Sequence, residues 1–129
     1  MNAIDPLHPD RVLGLLQDRH IGAANGATVT LLALELLGNH SLGAERQIRA
    51  VILHLRLRGY AICATPRDGY FIASNAGELD ETCEFLYHRA MTSLMQISAM
   101  RNVALPDLAG QLGLKLSNPK GATDETIRR

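Results

Sequence analysis

The sequence predicts a mainly α-helical chain with one small β-hairpin and a long helix after it. Three observations carry that expectation. Apolar residues recur at helical spacing, as in Ile48, Val51, Ile52 and Leu55. After Gly59 the period drops to two, the spacing of a strand. From Leu79 to Met100, apolar and small residues step by four and three in a heptad-like seam.

A chain of 129 residues suits one domain with an added helix and a tail. Its 47% hydrophobic content is enough for a core, and with five aromatics and no Trp that core must be aliphatic. Cys63 and Cys83 sit in apolar surroundings without metal spacing, so they are expected as reduced core thiols of a cytoplasmic protein. No apolar run approaches the ~20 residues of a membrane span. The N-terminus lacks the basic and apolar segments of a secretory signal.

Element by element, Pro9-Asp10 opens a first helix that ends near Arg19, with Val12, Leu13, Leu15 and Leu16 apolar. Ile21 to Ala27 reads as a loop broken by Gly22, Asn25 and Gly26. It is no phosphate loop, because no Gly-Lys-Ser/Thr follows. A second helix begins at Ala27 or Thr28 and runs through Leu37, where Gly38 stops it. The third helix runs from Gly43 or Ala44 to Arg58, with Gly59 as its stop and Arg56 and Arg58 at the negative end of the dipole. Tyr60 to Ala64 and Tyr70 to Ala73 read as paired strands around the turn Pro66-Arg67-Asp68-Gly69. Helix, turn, basic helix, glycine and hairpin is the order of a winged helix-turn-helix, with Arg67 near the tip of the wing.

The stretch RQIRAVILHLRLRGYAICATPRDGYFIAS resembles the recognition helix and wing of the biotin-operon repressor DNA-binding domain, and is similar to small phage and prophage winged-helix proteins. Ile48, Ile52, Leu55-Arg56, Gly59 and Gly69-Tyr70 carry the likeness, which covers about residues 10–74. The resemblance implies a DNA-binding winged-helix domain. The usual Ser-Arg at the start of the recognition helix is Ala44-Glu45 here, and no biotin-ligase domain follows.

Beyond the hairpin, Ser74-Asn75 can cap a long helix, with Glu78 as a capping-box partner. Its seam is Leu79, Cys83, Leu86, Ala90, Ser93, Ile97 and Met100, broadened by Tyr87, Met91, Leu94 and Met95. The seam either packs on its own domain, over Leu53 and Leu57, or pairs with a second copy. Dimerisation is expected through Leu79, Leu86, Ala90 and Ile97. Pro106 opens a last short helix to Leu112. The expected organisation is a winged domain over 1–74, a helical extension over 75–114, and a disordered polar tail over 115–129.

Net charge is zero, but it is unevenly laid out. Between Ala44 and Tyr70, five arginines face two acids; between Asn75 and Ala90, four acids face one arginine. Such polarity favours steering onto a polyanion. Arg46, Gln47, Arg49, Ala50 and His54 on the third helix, and Arg67 on the wing, are therefore the candidate DNA-binding residues. The five histidines lack zinc spacing, and the acids Glu78, Asp80, Glu81 and Glu84 read as favourable charge at a helix N-terminus. No catalytic, metal or cofactor site is expected, and the chain reads as a non-enzyme.

Two function classes follow. One is a double-stranded DNA-binding protein, a homodimeric transcriptional regulator of bacterial or phage origin. The other is a winged-helix module that contacts a host protein, such as a phage factor inhibiting a host defence or replication machine.

Overall fold

The computed structural model describes residues 5–113. The tail expected over 115–129 lies outside the described residues. Within them the protein is mainly helical, with five α-helices and one two-stranded antiparallel sheet. The order is α1 (Pro9–Arg19), a 3-10 turn (Ala23–Asn25), α2 (Val29–Leu37), α3 (Leu42–Leu57), β1 (Ile62–Thr65), β2 (Gly69–Ile72), α4 (Ala76–Arg101) and α5 (Leu105–Leu112). The chain falls into two compact units that divide at Thr82 and Cys83, inside α4.

In the first unit, α1, α2 and α3 bury one stripe each. Val12 and Leu16 come from α1, Val29, Leu32 and Ala33 from α2, and Ile48, Ile52 and Leu55 from α3. Ile62 joins this core from the hairpin, while Cys63 and its cross-strand partner Phe71 are buried on the hairpin's other face. Capping side chains set the helix starts. Thr28 Oγ1 accepts from Leu31 N at 3.1 Å and Ser41 Oγ accepts from Ala44 N at 3.1 Å. Gly38, at φ 78°, closes α2 in the left-handed conformation. The third helix thus starts at Leu42, slightly before Gly43, because Ser41 supplies the cap.

The hairpin pairs Ile62 with Ile72, Cys63 with Phe71, Ala64 with Tyr70 and Thr65 with Gly69. Its first strand starts later than Tyr60. Tyr60 N still donates to the helix carbonyl of Leu55 at 3.1 Å, so the chain becomes extended only after it has left α3.

The stretch expected as a free loop, Ile21 to Ala27, is built into the hairpin instead. Gly22 N donates to Ile72 O (2.8 Å) and Ile72 N to His20 O (2.8 Å). Ala27 and Tyr70 exchange both backbone bonds, at 2.9 and 2.7 Å. These two bridges satisfy the outer edge of β2, where unpaired amides would invite non-native pairing. His20, itself buried, ties the same loop to α2. Its ring nitrogens lie 2.7 Å from the Asn25 carbonyl oxygen and 2.7 Å from a Glu35 carboxylate oxygen.

The start of α4 is anchored to the first unit. Asn75 Oδ1 caps the helix by accepting from Glu78 N at 2.9 Å. Glu78 does not return to Asn75 N as an ordinary capping box would. Its carboxylate accepts from Ser74 N (2.8 Å), Ser74 Oγ (2.8 Å) and, across the fold, Ala23 N (2.9 Å). Thr82, the one buried residue of α4, accepts from Ala64 N at 3.3 Å. These bonds explain why the first unit extends past residue 74.

The backbone amides of Ser74 and then Ala23, with the Ser74 hydroxyl, hold the Glu78 carboxyl below the ordinary glutamate range. A group depressed in the folded state stabilises above its unfolded pKa, and that contribution is lost as pH falls through the folded value. The melting temperature should therefore drop in acid. Glu78→Gln should lower it at neutral pH and flatten the acid limb, as read by thermal melts over pH 3–7. An acid limb identical in the two proteins would remove Glu78 from this role.

In the second unit, Leu108 and Ala109 of α5 are buried, and Ser98 Oγ donates to the Val103 carbonyl where α4 ends. Asn102, at φ 54°, turns the chain there. Cys83 is exposed, unlike the core thiol expected of it; Cys63 is buried, and its Sγ donates to the Glu78 carbonyl at 3.6 Å. One helix face covers about four positions in eleven, and Cys83 falls outside the one that Thr82 buries. No helix among the described residues is long and apolar enough to cross a membrane.

Candidate nucleic-acid interface

Helix α3 has two unlike sides. Glu45, Ile48, Ile52 and Leu55 are buried at 3-4-3 spacing, which locks the helix against α1 and α2. Arg46, Gln47, Arg49, Ala50 and His54 are all exposed on the remaining surface. The inner stripe fixes the orientation of the outer one, so the small residue Ala50 stands among long polar side chains where a close approach is sterically open. Such a surface can donate hydrogen bonds to base edges and phosphates.

Glu45 is a charge that this surface does not carry. Its carboxylate is buried, accepts from Thr30 Oγ1 at 3.0 Å and lies 3.5 Å from His40 Nδ1. The acid at the helix start is thus turned into the domain.

The arginine cluster is less free than its count suggests. Arg56 is half-buried, and its Nε donates to the Ile62 carbonyl at 2.7 Å, stitching the end of α3 to the start of β1. Its Nη2 is buried without a hydrogen-bond partner among the described residues. Arg58 lies over the Tyr60 ring at 6.0 Å. Arg56 is therefore structural, and sequence position next to Arg58 could not separate the two.

At the hairpin tip, Arg67 is exposed but already partnered. Its Nη2 and Nε lie 3.0 and 3.1 Å from Asp68 Oδ2. The bond from Arg67 holds the Asp68 carboxyl below the ordinary range, and the Thr65 hydroxyl, donating at 3.1 Å, adds to that. Asp68 N in turn donates to Thr65 Oγ1 at 2.8 Å. This local network rigidifies the tip while screening its cation.

On the same outer side of α3, three leucines are open to solvent: Leu42 at 80%, Leu53 at 56% and Leu57 at 80%. Leu53 and Leu57, the two expected to lie under a cover, are bare. The seam residues Leu86 and Ala90 are exposed as well, while Leu79 and Ile97 are half-buried. No cluster of three or more His, Cys, Asp or Glu among the described residues is placed to hold a metal ion, and Glu78 serves the start of α4.

No family model matches this chain, and neither a curated protein nor a solved structure matches it.

Proposed function

We propose that this chain is a winged helix-turn-helix DNA-binding protein, a homodimeric transcriptional regulator of bacterial or phage origin. The observation that supports it is the outer side of α3: Arg46, Gln47, Arg49, Ala50 and His54 are exposed together on a helix whose other side is fixed in the core. In this reading α3 enters the major groove and the tip of the β1–β2 hairpin touches the backbone beside it. Glu45, the acid at the start of α3, is buried rather than set beside phosphate.

A gel-shift against the DNA upstream of the protein's own reading frame, with a salt titration, tests this. Binding should weaken steeply with salt through counterion release. Affinity that does not change with salt, or no binding at all, rejects the reading.

Arg67→Ala should lower affinity almost evenly across DNA sequences. The salt slope should shrink by at most about one unit, since the guanidinium is shared with Asp68. A changed sequence preference at constant salt slope would contradict a backbone contact.

One observation favours a second reading. The exposed Leu42, Leu53 and Leu57 put apolar area on the same helix as the arginines, which suits a protein partner. The chain would then be a winged-helix interaction module, such as a phage factor inhibiting a host defence or replication machine.

A further inference from the structure

His20 is a buried titratable residue with no part in the outer side of α3. Its ring meets an acceptor at each nitrogen. Nδ1 lies 2.7 Å from the Asn25 carbonyl oxygen, which has no proton to give, so Nδ1 donates. Nε2 lies 2.7 Å from Glu35 Oε1, and a hydrogen bond there requires one proton between ring and carboxyl. Without that proton, an imidazole lone pair would face a carboxylate lone pair, and the contact could not persist. The His20 side chain is 7% exposed and that of Glu35 16%, so little water is at hand to take over the lost bond.

The charged groups around the pair are few. Glu35 is the one ionisable side chain of α2. The end of α1 brings Arg19, whose Nη1 lies 3.3 Å from Glu35 Oε2, and Asp18, 3.9 Å from Arg19 Nε. Strand β2 brings Tyr70, and residues 21–27 bring none. Glu78 of α4 reaches the loop at Ala23 N. On α3, Glu45 is engaged by Thr30 and His40, and Arg56 by the Ile62 carbonyl.

His20 also stands where three parts meet. It ends α1, and its carbonyl accepts from Ile72 N of β2. Its ring holds Asn25, inside the loop that is bridged to β2 through Gly22 and Ala27. Through Glu35 the same ring fastens that loop, and β2 with it, to α2.

We propose that this one proton controls how the β1–β2 hairpin is seated on the helices. While it is held, the ring fastens residues 21–27 and β2 to α2. As pH rises and the proton leaves, Glu35 is released and the hairpin loosens, while the core of α1–α3 stays formed. The contribution is present at lower pH and lost at higher pH, opposite in sign to that of Glu78. The device deepens the proposed function by placing its wing under pH control, and it rests on that reading only for its effect on DNA.

Nuclear magnetic resonance of the full chain reads ring and hairpin together. Ring nitrogen shifts report the protonation of His20, and exchange protection of the Gly22 and Ile72 amides reports the seating of the hairpin. The scan runs from about pH 5 to 9, which spans the interval in which imidazole changes charge. Protection of both amides should fall roughly tenfold as the ring loses its proton, the scale of one lost charge-assisted bond. The amides of Ile52 and Leu55 in α3 should hold. Glu35→Gln is the discriminating variant, because a Gln amide can donate to an unprotonated Nε2. Its hairpin protection should stay level across the scan. A merely structural contact would weaken in Glu35→Gln at every pH.

Wild-type protection that does not change when the ring loses its proton overturns the proposal, and that arm needs no substitution. A ring that keeps one protonation form throughout overturns it too, as does a Glu35→Gln protein that loosens with pH like the wild type. DNA affinity at fixed salt should fall with pH in the wild type and less in Glu35→Gln. Equal falls in the two would overturn pH control of the wing. No DNA binding at any pH rejects the DNA reading alone, and the exchange data still decide the clamp.

Discussion

Gly26→Ala should destabilise the protein by about 2–4 kcal/mol, although alanine suits that backbone well. Gly26 has φ −63° and ψ 155°, an extended conformation that any residue adopts. The cost comes entirely from space. A Cβ there would run into the Asp68 carbonyl oxygen and lie 2.8 Å from its carbonyl carbon. Backbone is on both sides of this approach, so no rotamer change relieves it. Gly69 faces the same approach from the hairpin, where a Cβ would strike the Ala27 carbonyl and come within 2.9 Å of Thr28 N. Its φ of 78° adds left-handed strain for any other residue. Gly69→Ala should therefore cost at least as much as Gly26→Ala. Chemical denaturation of both variants checks this. If Gly26→Ala is neutral, the hairpin is not held against residues 26–28, and the paired Ala27 and Tyr70 bonds contribute little. If it unfolds the hairpin alone, exchange of the Tyr70 and Ala27 amides should speed up while the α1–α3 core keeps its protection.

Arg46→Ala with Arg49→Ala should reduce DNA affinity by about 1–3 kcal/mol for each base-edge interaction removed, and relax sequence preference at the base pairs those arginines read. Both side chains are exposed, and neither shares the inner stripe of Ile48, Ile52 and Leu55, so helicity and melting temperature should hold. A titration of the variant against specific and scrambled DNA separates base reading from charge. Equal weakening on both DNAs would place the two arginines on phosphates. Unchanged affinity for either DNA, with the fold intact, would move the function to another surface and favour the protein-partner reading, for which Leu53→Ser with Leu57→Ser is the matching variant.

Much of the fold was legible because local chemistry sets it. The span of α1 follows from Pro9 and its apolar spacing, and the end of α2 from Gly38. The change from helix to hairpin follows from Gly59 and the shift in period. The turn at Gly69 needs a positive φ, which the residue type announces. The outward placement of Arg46, Arg49 and Ala50 follows from 100° per residue once the core stripe is known.

Other features depended on residues far apart in the chain. The bridging of Ile21 and Ala27 to β2 is made by backbone groups, which every residue carries, so no side chain signals it. The Arg56 bond to Ile62, the burial of Glu45 against Thr30, and the reach of Glu78 to Ala23 each turn an ionisable side chain to structural use. In the sequence Arg56 and Glu45 looked the same as their solvated neighbours, and the capping role read for Glu78 did not include its reach to Ala23. The amino-acid sequence by itself determined which segments are helical, where they stop, and which side of α3 faces outward, because caps, glycines and periodicity act within a few residues. Only the tertiary structure decided which charges remain free on that side and that the hairpin is clamped to the loop before α2. Pairing across the fold is settled by which backbone and carboxylate groups meet when the helices pack.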